Sequence, residues 1–487
     1  YTTLFRSIYT SGSTGDPKGV VVTHRNIAHS TAARFAFYGE RAQSFLLLSS
    51  LAFDSSLVGL FWTLCSGGTL VIPAAERRLD ATYLGTQIER CEVTHLLALG
   101  SLYGLLLDET APSRLRTLRT VIVAGEVCPP ALVASHLLRC AGARLFNEYG
   151  PTEGTVWSHA FRVPDRFAGA EVPIGVPIPN SWCAVLDRFD QPVPIGVAGE
   201  LVIGGAGVAA GYLGRPDLTE RVFRHTLPSW FDVAADARHY RTGDLVRWRA
   251  DGNLEFLGRR DRQIKLRGYR IELDEVERVL LDCPGVRAVA ALVVDGNHPE
   301  MNRRRLVVCY CADERFDTTR WRASWTTRLP RFMQPAELVR VADLPRTSTG
   351  KIDRQALAAI VDQASGSRAT EPAREPVDEI ERLLLDAWMK ILGRTDVGVD
   401  QSFFDLGGHS LDAMRLFAHL ERTTGRALRL SILFEAPTVA RLAESLAHPI
   451  IERPQIVLRI GVVEAEHRLG VRNRREGARG ASADALR

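Results

Sequence analysis

Lysine is scarce in this chain. Of 61 basic residues only Lys18, Lys265, Lys351 and Lys390 are lysines, so each stands out where arginine serves the general need for positive charge. Long apolar runs are missing too: stretches such as Leu57 to Leu64 fall far short of the roughly 20 residues that span a bilayer, and Tyr1-Thr2-Thr3 does not read as the start of a signal peptide. Net charge is slight, +4 over 487 residues, which gives no field to favour nucleic acid or an anionic membrane as partner. Eight cysteines, scattered from Cys65 to Cys311, form no CxxC pair and no Cys/His cluster at zinc-finger spacing, so a soluble protein of the reducing cytoplasm is expected. With 46% hydrophobic and 24% charged residues the chain is neither disordered nor fibrous, and its length exceeds what one core organises.

What is present reads as a succession of domains. From about 44 to 150, Phe45-Leu46-Leu47-Leu48, Thr69 to Ile72, Val93 to Leu99 and Thr120 to Ala124 read as strands. Ser56 to Cys65 and Ala81 to Cys91 read as helices, a βαβ rhythm that predicts a largely parallel sheet. Between 172 and 257 short segments punctuated by glycine and proline, such as Glu200-Leu201-Val202-Ile203-Gly204-Gly205, predict antiparallel β structure. The expected fold is therefore multidomain α/β, with a core over 1–257, a smaller α+β subdomain over 258–360, a linker over 361–375 and a small all-α four-helix domain over 376–446. Ile380, Leu383, Leu384, Ala387, Trp388, Ile391 and Leu392 recur at helical spacing before Gly393, a C-terminal stop. The tail 447–487 is expected to be disordered, although Gln455 to Val463 could form a strand.

Tyr9-Thr10-Ser11-Gly12-Ser13-Thr14-Gly15-Asp16-Pro17-Lys18-Gly19-Val20 is dense in glycine and hydroxyls and carries one lysine. Small residues let backbone N–H groups approach a polyphosphate, hydroxyls add donors, and the lysine adds a point charge. The spacing is not the Walker form, and composition alone equally allows a surface turn. The whole string resembles the phosphate loop of the adenylate-forming superfamily, specifically the adenylation domains of nonribosomal peptide synthetases. Further segments in the same order strengthen that resemblance: Phe146-Asn147-Glu148-Tyr149-Gly150-Pro151-Thr152-Glu153, Tyr240-Arg241-Thr242-Gly243-Asp244, Gly258-Arg259-Arg260-Asp261-Arg262-Gln263-Ile264-Lys265, and Leu344-Pro345-Arg346-Thr347-Ser348-Thr349-Gly350-Lys351.

The resemblance implies roles for these residues. Thr10, Ser11, Gly12, Ser13, Thr14, Gly15 and Lys18 would meet the ATP phosphates. Asn147 would contact the adenine edge, Tyr149 stack on the base, Thr152 reach phosphate and Glu153 help hold Mg²⁺. Asp244 would accept from both ribose hydroxyls, Arg259 add a second ribose contact, and Asp261 act as the hinge pivot. Lys351 would be the catalytic lysine. A carboxylate attacking an α-phosphate brings two anions together, and a compact desolvated cation between them stabilises that charge. On the substrate side Asp54 would pair with an α-ammonium, though a helix cap is a compatible role. The remaining pocket would comprise Ser55, Val58, Leu102, Ile122, Ala124, Glu148, Val156 and Trp157. A buried carboxylate is costly unless satisfied, so Glu148 predicts a sizeable substrate side chain bearing a donor, or else a neighbouring cation.

Asp405-Leu406-Gly407-Gly408-His409-Ser410-Leu411 precedes apolar residues at helical spacing, Leu411, Met414, Phe417 and Leu420. That is similar to a peptidyl carrier domain, with Ser410 as the attachment serine for 4′-phosphopantetheine. A hydrolase elbow is disfavoured because Asp412 stands where glycine is needed. The implied activity is ATP-dependent formation of an aminoacyl-AMP and its transfer as a thioester to the carrier arm. Implied cofactors are ATP, Mg²⁺ and 4′-phosphopantetheine; implied partners are an amino acid, a phosphopantetheinyl transferase and neighbouring condensation or thioesterase domains, as in antibiotic biosynthesis. Because Tyr1 lies just upstream of the phosphate loop, the adenylation part is expected to lack its N-terminal portion. Two other readings are an acyl- or aryl-CoA ligase, which explains neither Asp54 nor the carrier, and an inactive remnant serving as a docking module.

Overall fold

A computed structural model describes residues 4–10, 17–225, 238–266, 268–294, 304–313, 316–347, 352–366, 374–394, 397–404, 406, 408, 410–424 and 432–446. The central sheet has seven strands in the order Thr69–Val71, Ser44–Leu46, His95–Ala98, Thr120–Ala124, Arg144–Tyr149, His159–Arg162 and Val176–Pro177. Its first five strands are parallel, and each of the last two pairs antiparallel with the strand before it. Alternation within the strands explains why both faces are covered. Leu46, Leu96, Val121, Val123 and Leu145 join one core with the helices Ala81–Arg90, Gly100–Glu109 and Pro130–Arg139. Phe45, Leu97, Ile122 and Phe146 join another with residues of His24–Tyr38 and Ser56–Ser66.

The glycine-punctuated region forms five antiparallel strands, Ser181–Leu186, Gly199–Gly205, Phe223–Arg224, His239–Trp248 and Leu254–Arg259. A separate hairpin pairs Leu4–Thr10 with Lys18–Thr23, which holds the two ends of the phosphate-loop segment side by side. Beyond Arg259 a hairpin of Gln263–Leu266 and Tyr269–Glu272 leads into a three-stranded sheet, Val286–Val294, Arg305–Ala312 and Glu337–Arg340. Residues 361–366, read as linker, instead continue the helix Arg354–Gly366. Leu357 and Val361, one turn apart, are both buried against Cys309 and Val307, so the helix persists while its apolar stripe has a core to cover.

The helical region builds its own core around Leu384, Trp388, Phe403, Leu416 and Leu442. Its first helix, Glu379–Leu392, starts where the Asp378 side chain accepts from Glu381 N and stops at Gly393 in the left-handed conformation (φ 64°), the stop expected from sequence. Ser410 opens the helix Ser410–Thr424. That helix lies against the α/β core: Met414 joins the cluster of Leu102 and Leu132, Arg422 pairs with Glu109 at 2.6 Å and Glu421 with Arg77 at 3.7 Å. Among the described residues no helix is long and apolar enough to cross a membrane. The tail, with the strand suggested for Gln455 to Val463, lies outside the described residues.

Candidate functional site

Strand Arg144–Tyr149 ends at the centre of the site, and adjacent residues along it serve opposite faces. On one face, the Tyr149 hydroxyl donates to Asp244. Asp244 stands on His239–Trp248 directly across the ladder from Arg259, whose guanidinium bonds it and also reaches Asp261 twice at 2.7 Å. Asp261 in turn accepts from the backbone N–H of Gln263 at 3.2 Å. The expected ribose clamp and the expected hinge residue are thus joined in one chain of charge-assisted bonds. Asn147 donates to the Pro173 carbonyl at 2.8 Å. These groups border a cavity of about 750 Å³ whose lining also includes Leu99, Lys265, Tyr269 and Met414, within the range of small-molecule and cofactor sites.

A second charged cluster surrounds Glu153, which is fully buried. Tyr212 donates to it at 2.6 Å, Arg270 at 2.9 Å, and Lys18 lies 3.5 Å away. Lys18 also donates to the Tyr212 hydroxyl at 3.0 Å. Burial works against ionisation of Glu153, but the Arg270 and Lys18 charges and the Tyr212 hydroxyl prevail and hold its carboxyl well below the usual range. Burial pushes the Lys18 ammonium down, with Glu153 opposing. Among the described residues no group of three or more His, Cys, Asp or Glu could cage a metal. One buried ionised carboxylate suits Mg²⁺ shared with phosphates, the manner in which that ion is commonly held. The Thr10 hydroxyl is buried with no hydrogen-bond partner among the described residues, at the mouth of a loop whose Ser11, Gly12, Ser13, Thr14 and Gly15 lie outside them.

The Asp54 carboxyl accepts hydrogen bonds from the Thr152 side chain and Ser55 backbone, and burial pushes it up. Thr152 is therefore engaged with Asp54. Ser55 begins the helix Ser56–Ser66 without capping it through its side chain. Val58 and Ile122 are buried in one cluster with Trp157, and Val156 packs against it. Leu102 belongs to the core on the other face of the sheet and lines the large cavity. Ala124 pairs in register with Glu148. Val156 and Trp157 are placed by a loop that doubles back at Gly150, where a Cβ would stand 2.3 Å from the Trp157 Cα. Thr155 and Val156 both have positive φ, 58° and 78°, a strained pair for β-branched residues.

Glu148 meets the second of its two expectations, a neighbouring cation. It does not await a donor on a ligand: Arg34 grips both carboxylate oxygens, at 2.6 and 3.1 Å, and the Tyr38 hydroxyl donates as well. The donor-bearing substrate inferred from sequence loses its support, because the buried charge is met within the protein. Sequence reasoning also assigned no role to Arg34, Tyr38, Tyr212, Lys265 or Arg270. Arg34 alone left a signal, one charge inside the small-and-aromatic run Ala32-Ala33-Arg34-Phe35-Ala36-Phe37-Tyr38. Lys265 lies 5.4 Å from the Tyr149 ring; burial pushes its ammonium down while Asp244 and Asp54 oppose that shift. Lys351 lies outside the described residues, between Arg346 and Ile352, which form a β-bridge. Of Ser410 the structure gives the helix start.

The family model for AMP-binding enzymes matches residues 3–213, and that for the phosphopantetheine attachment site matches 382–446. The dimodular nonribosomal peptide synthase of Bacillus subtilis (strain 168) is 40% identical over 95% of this chain and 19% of its own length. Tyrocidine synthase 3 of Brevibacillus parabrevis is 37% identical over 90% of this chain and 7% of its own length. The chain thus spans under a fifth of either relative. A solved holo synthetase protein containing adenylation and PCP domains, bound to a vinylsulfonamide inhibitor, aligns at a TM-score of 0.72 with 30% identity, covering 91% of this chain and 72% of that one. A Vibrio cholerae adenylation domain, AlmE, solved with glycyl-adenosine-5′-phosphate, aligns at 0.64 with 26% identity over 73% of this chain and 66% of its own. By sequence and by fold together, the chain belongs to the nonribosomal peptide synthetases, as an adenylation domain followed by a carrier domain.

Proposed function

We propose that the chain activates an amino acid as its aminoacyl-AMP with ATP and hands the acyl group to its own carrier domain. The observation that carries this reading is the Tyr149–Asp244–Arg259 chain, bordering a cavity that Met414 of the carrier helix also lines. Residues of the core and of the carrier helix thus line one cavity. Asp244 is positioned to accept from sugar hydroxyls in place of its present donors, and Tyr149 to offer its face to a base. Asp54 supplies the charge an α-ammonium requires. Lys18 brings positive charge to the phosphate side, and Lys351 is assigned the cation between carboxylate and α-phosphate.

Glu153 and the phosphates would hold Mg²⁺, which supplies charge neutralisation on the departing pyrophosphate. The 4′-phosphopantetheine arm on Ser410 supplies a thiol that accepts the acyl group as a thioester. Asp261, clamped by Arg259, is the proposed pivot between the two half-reactions. Transfer of the arm requires a phosphopantetheinyl transferase, and neighbouring condensation or thioesterase domains would receive the product. Unpaired thiols at all eight cysteines accord with a reducing cytoplasm. Amino-acid-dependent ATP–pyrophosphate exchange by the full chain tests the first half. Intact mass after phosphopantetheinyl transferase treatment, with Ser410→Ala as control, tests the second. Absence of exchange with every amino acid sinks the activation reading.

A further inference from the structure

Resting on the amino-acid activation proposed above, we infer that Arg34 is a specificity-determining residue that plugs the side-chain pocket and restricts the substrate to an amino acid with a hydrogen or a methyl as its side chain. One face of the sheet bears Ile122 and Phe146, with Ala124 and Glu148 two residues further along the same strands. Helix His24–Tyr38 brings Arg34 and Tyr38, one turn apart, down onto that face. Arg34 and Trp157 are each 1% exposed. The guanidinium lies 4.1 Å from the Trp157 ring while its fork holds Glu148, so one side chain fills the space between an aromatic plane and a carboxylate.

The plug is locked from several directions. Tyr38 stacks on Trp157 at 5.9 Å and 20° and shares Glu148. The Trp157 N–H donates to the Ser30 carbonyl at 3.2 Å, which fixes the indole from behind. Trp62, one turn beyond Val58, has an indole N–H without a hydrogen-bond partner among the described residues. Its ring is flanked by Tyr38 at 4.8 Å and His95 at 4.9 Å. The 750 Å³ cavity touches Glu148 and Leu102 but is not lined by Val58, Ile122, Val156 or Trp157. A larger substrate side chain must break a buried ion pair to enter, which leaves a charge without its partner. Asp54 contrasts with this wall: no cation forms an ion pair with it among the described residues, and its accepted bonds come from a hydroxyl and an amide.

The test is pyrophosphate exchange by the full chain with glycine, alanine, leucine, phenylalanine, arginine and glutamine, for wild type and for Arg34→Ala/Glu148→Ala. Removing both members together avoids stranding a buried charge. Wild type is expected to favour glycine or alanine over leucine and phenylalanine by about a hundredfold in kcat/KM, and the double variant to gain about tenfold with leucine. Best turnover of wild type with leucine, phenylalanine, arginine or glutamine overturns the inference and leaves activation standing; exchange with none of the six overturns the inference, and activation falls with it only when the remaining amino acids give none either. Circular dichroism reports whether the double variant folds; if it does not, the wild-type panel decides alone.

Discussion

The two faces of strand Arg144–Tyr149 handle charge in opposite ways. On the nucleotide side Tyr149, Asp244 and Arg259 form a polar chain along a cavity, and the Nε2 of His159, beside Tyr149, is buried without a hydrogen-bond partner among the described residues. On the amino-acid side Glu148 is saturated by Arg34 and Tyr38, under an aromatic cover. Asp244 and Glu148 are each held by one arginine and one tyrosine; the difference is that Tyr149 and Arg259 line the cavity with Asp244, whereas Arg34 and Tyr38 do not line it. A carboxylate in the right sequence position therefore does not by itself indicate ligand contact; its partners decide.

The largest expected effect belongs to the open side, for which Lys351 is the proposed cation between the reacting oxygens. Lys351→Ala should lower pyrophosphate exchange by about a thousandfold, the upper end of what one preorganised electrostatic group contributes. Attachment of the pantetheine arm to Ser410, read by intact mass, should be unchanged. Retention of exchange within tenfold of wild type would remove Lys351 from the chemistry and assign more to Lys265, which already sits beside Tyr149.

The closed side predicts loss of stability where the open side predicts loss of activity. Glu148→Ala strands the Arg34 charge in a buried site and should destabilise the fold by about 3–5 kcal/mol, whereas Arg34→Met with Glu148→Leu should be close to neutral. Urea denaturation of the three proteins separates these outcomes. Equal destabilisation in the single and double variants would mean that shape, and not charge pairing, holds this wall.

These contrasts also mark what the sequence could reveal. The parallel sheet was legible because runs such as Phe45 to Leu48 and Thr120 to Ala124 are apolar on both alternations, and the carrier helix because Asp378 and Gly393 punctuate it. Tyr149, Asp244, Arg259 and Asp261 were legible as separate segments, and the fold supplied their connection. The pairing of Arg34 was not legible, since its partner lies 114 residues away; its lone charge inside a small-and-aromatic run was the one local signal. Arg270 escaped for the same reason: its ion pair with Glu153 spans 117 residues of chain. The helix running past residue 360 was missed because Ala, Ser and Gln suit a linker as well as a helix until Val361 finds a core to cover.

A smaller effect, on pH dependence, also lies on the open side. His159 pairs in register with Tyr149, and burial pushes its imidazole down to about 3. The unfolded chain takes up that proton near pH 6.5 while the folded chain refuses it. Its contribution to stability is thus fully present above pH 6.5 and is lost as pH falls toward 3, with a slope of up to about 1.4 kcal/mol per pH unit. Burial also lowers His136, which adds to the same slope. Denaturation midpoints between pH 5 and 7.5 should flatten in His159→Gln; an unchanged slope would mean the imidazole is protonated in the folded protein.

Asn147 gives the finest test, because its side chain belongs to both the structure and the proposed site. Its amide donates to the Pro173 carbonyl at 2.8 Å, one neutral bond with a net worth of about 1 kcal/mol, so Asn147→Ala should barely move the denaturation midpoint. If the remaining amide functions read the adenine edge, the same substitution should raise the KM for ATP by about tenfold, equivalent to roughly 1.4 kcal/mol, with kcat little altered. A base analogue without the exocyclic amine should lose most of that difference between wild type and variant. An ATP KM equal to wild type, with stability reduced, would make Asn147 a buttress for the segment at Pro173 and would shift base recognition onto the Tyr149 face alone.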